Sequence, residues 1–78
     1  MAKNVKVYSV PVCSHCAATR KFLKVNNIQF ENIDISGNPE SSREMIKKSG
    51  QLSVPVIDID GEIVVGFDER KIKQALGL

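Results

Sequence analysis

Tryptophan is absent from the 78 residues, tyrosine and histidine occur once each, and aromatics make up 5% of the chain. So few rings cannot build a surface on which successive bases stack. Charge of one sign is also lacking. Eleven Lys and Arg against nine Asp and Glu leave a net +2, too little to argue for a nucleic-acid partner. No apolar run approaches the roughly 20 residues of a membrane-crossing helix. The opening Met1-Ala2-Lys3-Asn4 leads straight into a strand-like segment, so no secretory signal is expected. Cysteine is down to two, Cys13 and Cys16. Small secreted domains lean on several disulfides, whereas one bridge across so short a loop adds little chain-entropy stabilisation. The absences therefore predict no nucleic acid, no membrane, a reducing cytoplasmic compartment, and cysteines kept for chemistry.

What is present is an ordinary globular mixture, 42% hydrophobic and 26% charged. A core of this size is marginal, because such a domain buries only about 60–65% of its unfolded surface. No repeat, low-complexity stretch or linker divides the chain, so residues 1–78 are expected to form a single domain.

Val5 to Val10 alternates apolar and polar residues and reads as a strand, stopped by Pro11. The helix expected over Ala17 to Val25 would turn Ala18, Phe22 and Val25 inward and leave Arg20, Lys21 and Lys24 in water, with Asn26-Asn27 ending it. Ile28 to Ile35 reads as a second strand whose alternation slips near Asn32, as a bulge or a strand end would cause. Asn38-Pro39 pairs an N-cap with a first helical residue, opening a helix over Pro39 to Ser49 that Gly50 closes and in which only Met45 and Ile46 are clearly apolar. Val54 to Ile59 has the apolar run of a central strand. Asp60-Gly61 is a hairpin turn into Glu62 to Val65, and Asp68 caps a last helix, Glu69 to Leu76, that turns Ile72, Ala75 and Leu76 inward. The fold class is α/β, in the order β-α-β-α-β-β-α. Helix-linked strands should be parallel and the Asp-Gly pair antiparallel, giving a mixed four-stranded sheet flanked by three helices.

Cys13-Ser14-His15-Cys16 at the junction of a strand and a helix carries the chemistry. A helix start presents unpartnered N–H groups and a partial positive charge, so a thiolate at Cys13 is favoured there. Cys13 can attack a disulfide, and Cys16, a turn later and deeper, can attack the mixed disulfide that results. The bland alternative is a pair of buried cysteines acting as small hydrophobes. Zinc is disfavoured, since Cys13, His15 and Cys16 offer three ligands and a closed site needs four. His15 either supports the Cys13 thiolate and touches substrate, or merely fills the intervening pair. Pro55 marks an edge strand, a strand start, or a cis proline that opens the Val54 backbone to an extended substrate. Gly66-Phe67-Asp68 is at least a turn with an N-cap, and at most an anion site built on the Phe67 and Asp68 N–H groups, with Asp68 receiving an amine.

The segment Val7 to Cys16, the tripeptide Ser53-Val54-Pro55, Asp60-Gly61, Gly66-Phe67-Asp68 and the stretch Met45 to Gln51 stand in the order and spacing of bacterial glutaredoxins. The resemblance covers nearly the whole chain. It implies a thioredoxin fold, no tightly bound cofactor, and glutathione as co-substrate and reductant. It further implies a monomer whose partners are glutathione and disulfide or glutathionylated proteins. Cys13 would be the nucleophile and Cys16 the resolving thiol. Val54, before a cis Pro55, would pair with the cysteinyl part of glutathione. Gly66, the Phe67 N–H and Asp68 would hold its γ-glutamyl end.

Several positions depart from the family. His15 stands where many members have Tyr, Ser14 where they have Pro, and Ser53 where they have Thr. Val10 occupies the place of a Lys that binds the glycine carboxylate, and Ser42 that of its helper, which leaves Arg43 or Lys48 to compensate. The resemblance admits two alternatives: a redoxin served by thioredoxin reductase, and a dimer bridged by a glutathione-ligated [2Fe–2S] cluster.

Overall fold

The structure, a computed structural model, describes residues 4–78; the first three residues of the segment Met1–Asn4 discussed above lie outside the described residues. The elements are β1 (Val5–Ser9), α1 (Ser14–Val25), β2 (Glu31–Asp34), α2 (Pro39–Ser49), β3 (Val56–Ile59), β4 (Glu62–Val65) and α3 (Glu69–Leu76). Bounds set by local chemistry match the expectation. Asn38 caps α2 by accepting from the Ser41 N–H, Pro39 opens the helix, and Gly50 closes it at φ 76°. The β3–β4 turn puts Asp60 at φ 55° and Gly61 at φ 96°, the positive pair that a two-residue hairpin of matching twist requires. Asp68 caps α3 through the Lys71 N–H.

The sheet order is β2-β1-β3-β4, with β1 parallel to β2 and the other two pairings antiparallel; the expectation that helix-linked strands run parallel holds for β1 and β2 but fails for β2 and β3, which are not neighbours and run opposite ways on either side of β1. β3 is interior and covered on both faces. Ile57 and Ile59 join Val5, Val7 and Leu23 in the core under α1 and α3, while Val56 joins Tyr8 and Met45 under α2. Met45 is the one fully buried side chain of α2, and burial of a side chain this size stabilises by about 1.5–3 kcal/mol. Among the described residues no helix is long and apolar enough to cross a membrane.

Four local expectations are corrected. α1 begins at Ser14 rather than Ala17, so Cys16 lies inside its first turn. The buried face of α1 is Cys16, Thr19 and Leu23, while Val25 is 71% exposed. Thr19 can turn inward because its hydroxyl donates to the His15 carbonyl at 2.8 Å, a polar partner that apolar periodicity does not register. Arg20 is not a solvated residue but half-buried, reaching back to β1 and β2. The slip near Asn32 is a strand start: β2 begins at Glu31, Ile28 and Phe30 precede it and pack beneath α1 and α3, and Ile33 and Ile35 pack beneath α2.

These pairings place the C-terminal ends of β1, β2 and β4 and the N-terminal end of β3 at one end of the sheet. Cys13, Val54-Pro55 and Gly66-Phe67-Asp68 all follow or precede those ends directly.

Candidate active site

Cys13 is the N-cap of α1, with extended backbone at φ −149° and ψ 113°, and its Sγ accepts from the Cys16 N–H at 3.2 Å. The sulfur thus takes the place of the side-chain oxygen that normally satisfies a helix's first N–H groups. Cys16 is fully buried, whereas Cys13 is partly open to solvent. Both are free thiols.

Their environments push the two thiols apart. The hydrogen bond from the Cys16 side chain, followed by the backbone N–H groups of Cys16 and His15 and the charge of Arg20, holds Cys13 below its ordinary value. Burial, then the hydrogen bond to Cys13, pushes Cys16 up to about 11. The result is one acidic, accessible thiol next to one reluctant, enclosed thiol. The His15 imidazole is exposed, and what His15 adds to the acidity of Cys13 comes from its backbone N–H rather than its ring.

The Val54–Pro55 peptide bond is cis and immediately precedes the interior strand β3. Of the openings left by the sequence, the edge strand is therefore excluded. The Pro55 carbonyl accepts from the Gly66 N–H at 2.7 Å, which ties the proline to the turn before α3. The Phe67 ring packs edge-to-face on Phe22 of α1, centroids 6.0 Å apart. The Phe67 and Asp68 N–H groups make no hydrogen bond among the described residues, so they remain available at the N-terminus of α3.

Arg43 is exposed on α2 and makes no ion pair among the described residues. Lys48 is not free to receive a carboxylate. It contacts Asp58 at 2.7 Å, Glu44 at 3.2 Å and the buried Tyr8 hydroxyl at 2.8 Å. No three His, Cys, Asp or Glu side chains among the described residues come together as a metal site.

Sequence reasoning missed the polar group behind the cysteines. Arg20 donates to Ser9 Oγ at 3.2 Å and to Asn32 Oδ1 at 3.5 Å, and Ser9 Oγ donates to Asn32 Oδ1 at 2.8 Å. The available signal was position: Arg20 stands four residues after Cys16, hence on the same helix face.

The glutaredoxin family model matches residues 5–64. A glutaredoxin-like 8.6 kDa protein from the rubredoxin operon of Clostridium pasteurianum is 39% identical over 72 residues, covering 92% of this chain and 96% of that protein. Glutaredoxin 3 of Escherichia coli K12 is 34% identical over 74 residues, covering 95% of this chain and 89% of that one. Among solved structures, a glutaredoxin from Archaeoglobus fulgidus superposes with a TM-score of 0.87 at 31% identity, over 94% of this chain and 85% of its own. The fold is the thioredoxin fold.

Proposed function

The chain belongs to the glutaredoxin family of redox proteins, and on that premise we propose that it is a glutathione-dependent thiol–disulfide oxidoreductase acting through Cys13 and Cys16 as a single cytoplasmic domain, monomeric, with no tightly bound cofactor. The observation that carries this is the divided pair: an accessible thiol capping a helix, held acidic, with a buried thiol of about 11 within reach of it.

The Cys13 thiolate attacks one sulfur of a glutathionylated or protein disulfide. A bond forms to that sulfur, the substrate S–S bond breaks, and the leaving thiolate takes a proton from water. A glutathione thiolate then attacks the Cys13 mixed disulfide and frees Cys13, or Cys16 loses its proton, attacks Cys13 and releases the second half of a protein substrate. In the latter case two electrons have left the enzyme as a Cys13–Cys16 disulfide, and two glutathiones restore the dithiol. The open Val54 backbone, the Phe67 and Asp68 N–H groups and the Asp68 carboxylate supply the frame for an extended peptide with an amino-acid end. Arg43 is the exposed cation left for the glycine carboxylate, and His15 would border the peptide.

The test is NADPH-coupled reduction of a small glutathione mixed disulfide with glutathione and glutathione reductase, beside thioredoxin reductase alone. Turnover in the first arm only is expected. Cys13→Ser should abolish it, and Cys16→Ser should retain reduction of the glutathione mixed disulfide; equal loss in both variants would contradict the assigned roles.

A second reading, a redoxin reduced by thioredoxin reductase, is favoured by Val10 where the family's carboxylate-binding Lys would stand, with Lys48 engaged elsewhere. It is also favoured by Val12, 96% exposed next to Cys13, an apolar contact better suited to a protein than to glutathione. Activity only in the thioredoxin reductase arm would establish it.

A further inference from the structure

We propose that Arg20 is a positioning residue for the cysteine pair: its guanidinium, fixed by Ser9 and Asn32, supplies the positive charge beside which Cys13 and Cys16 ionise. The inference rests on the reading of these cysteines as the redox pair. Arg20 follows Cys16 by one helical turn, and side chains in a helix lean toward its N-terminus. Its anchors show where the group goes. Ser9 is buried at the end of β1, and its oxygen and the Asn32 carbonyl both receive the guanidinium. Ser9 ends β1 four residues before Cys13, so the anchored guanidinium lies against the strand that leads into the cysteine loop. Arg20 and Val10 line one cleft of about 290 Å³ with Ser9, Pro11, Asn32 and Asp34.

The charge is held but not cancelled. Both anchors are neutral, and Arg20 makes no ion pair among the described residues. Asp34 lines the same cleft, but its Oδ1 is turned to the Ser36 N–H at 2.9 Å and the Ser36 hydroxyl at 2.7 Å. Among the other ionisable groups, His15 on α1 is exposed, Glu40 and Arg43 are exposed on α2, and Asp68 caps α3. Arg20 favours the thiolate at both cysteines. The need is greatest at Cys16, because a buried thiol with no nearby cation stays protonated and cannot resolve a mixed disulfide.

The experiment compares the parent with Arg20→Gln, Arg20→Lys and Ser9→Ala, without any electron donor. Iodoacetamide alkylation against pH reports the first thiol to ionise. A pre-formed mixed disulfide of Cys13 with a coloured aryl thiol reports the second: Cys16 loses its proton to water, bonds to the Cys13 sulfur, and expels the aryl thiolate in a single turnover. Arg20→Gln should slow both reactions about threefold at neutral pH and move both profiles to higher pH, as loss of one partly screened neighbouring charge implies. Arg20→Lys should stay close to the parent, and Ser9→Ala should fall between. Profiles for Arg20→Gln that overlie the parent's would overturn the proposal. So would equal shifts in Arg20→Gln and Arg20→Lys with a lowered urea midpoint, which is what a packing role predicts. Shifted profiles in a protein that turns over with neither donor would support Arg20's role while rejecting the proposed function.

Discussion

Alkylating the reduced protein at pH 7 with substoichiometric iodoacetamide is expected to modify Cys13 long before Cys16. Cys16, pushed up to about 11 by burial and its bond to Cys13, is ionised in only about one molecule in ten thousand at pH 7. Cys13 lies below its ordinary 9.0, so more than about one molecule in a hundred carries its thiolate. The thiolate populations therefore differ by about a hundredfold or more. The more acidic thiolate is intrinsically the weaker nucleophile, and a Brønsted slope near 0.4–0.5 returns about one factor of ten over two units of acidity. At least about tenfold selectivity for Cys13 remains, and the complete burial of Cys16 widens it. Because the two groups titrate as a pair, the pH profile gives two macroscopic steps, and the site must be read directly. Peptide mapping of the singly modified protein by mass spectrometry does so. Equal labelling, or Cys16 modified first, would refute both the acidity order and the division of labour built on it.

The Tyr8–Glu44–Lys48–Asp58 group predicts stability rather than activity. Lys48→Met leaves the Asp58 carboxylate, only 13% exposed, without its cation; the loss should be about 1–3 kcal/mol, less than for a fully buried pair, read as a lowered urea midpoint at unchanged m-value. The same pair sets a pH dependence. Burial opposes the Asp58 carboxylate, but Lys48 and the Gly61 N–H outweigh it and hold its pKa below 3.8, so its contribution is present above that value and fades as pH falls through the folded-state pKa. Acid titration of unfolding should show this loss, and Asp58→Asn should flatten it. Asp68 has two roles that separate by substitution: Asp68→Ala should cost about 1 kcal/mol as a lost N-cap, whereas Asp68→Asn should keep the cap and stability yet raise KM for glutathione. An unchanged KM in Asp68→Asn would remove Asp68 from the binding site.

Much of this architecture is legible because its signals are local. Asn38-Pro39 and Gly50 bound α2, Asp60-Gly61 makes the hairpin, and Asp68 starts α3, each through backbone chemistry confined to a few neighbouring residues. The spacing of Cys13 and Cys16 is local in the same sense, since one turn of helix suffices to bring a sulfur to the next turn's N–H. Where partners come from distant strands, the pattern fails. Arg20 reads as a solvated cation, yet Ser9 and Asn32 wait for it on β1 and β2. Lys48 reads as a spare cation for a carboxylate, yet Asp58, far from Lys6 in sequence, sits beside β1 through the antiparallel register that pairs Lys6 with Asp58. A charged side chain's role is fixed by which groups the sheet register presents to it, and register is a property of the assembled sheet. The two cations the sequence treats alike therefore end in opposite circumstances. Lys48 is neutralised by carboxylates and holds α2 to the sheet, while Arg20 is held by the neutral oxygens of Ser9 and Asn32 and keeps its charge one helical turn after Cys16.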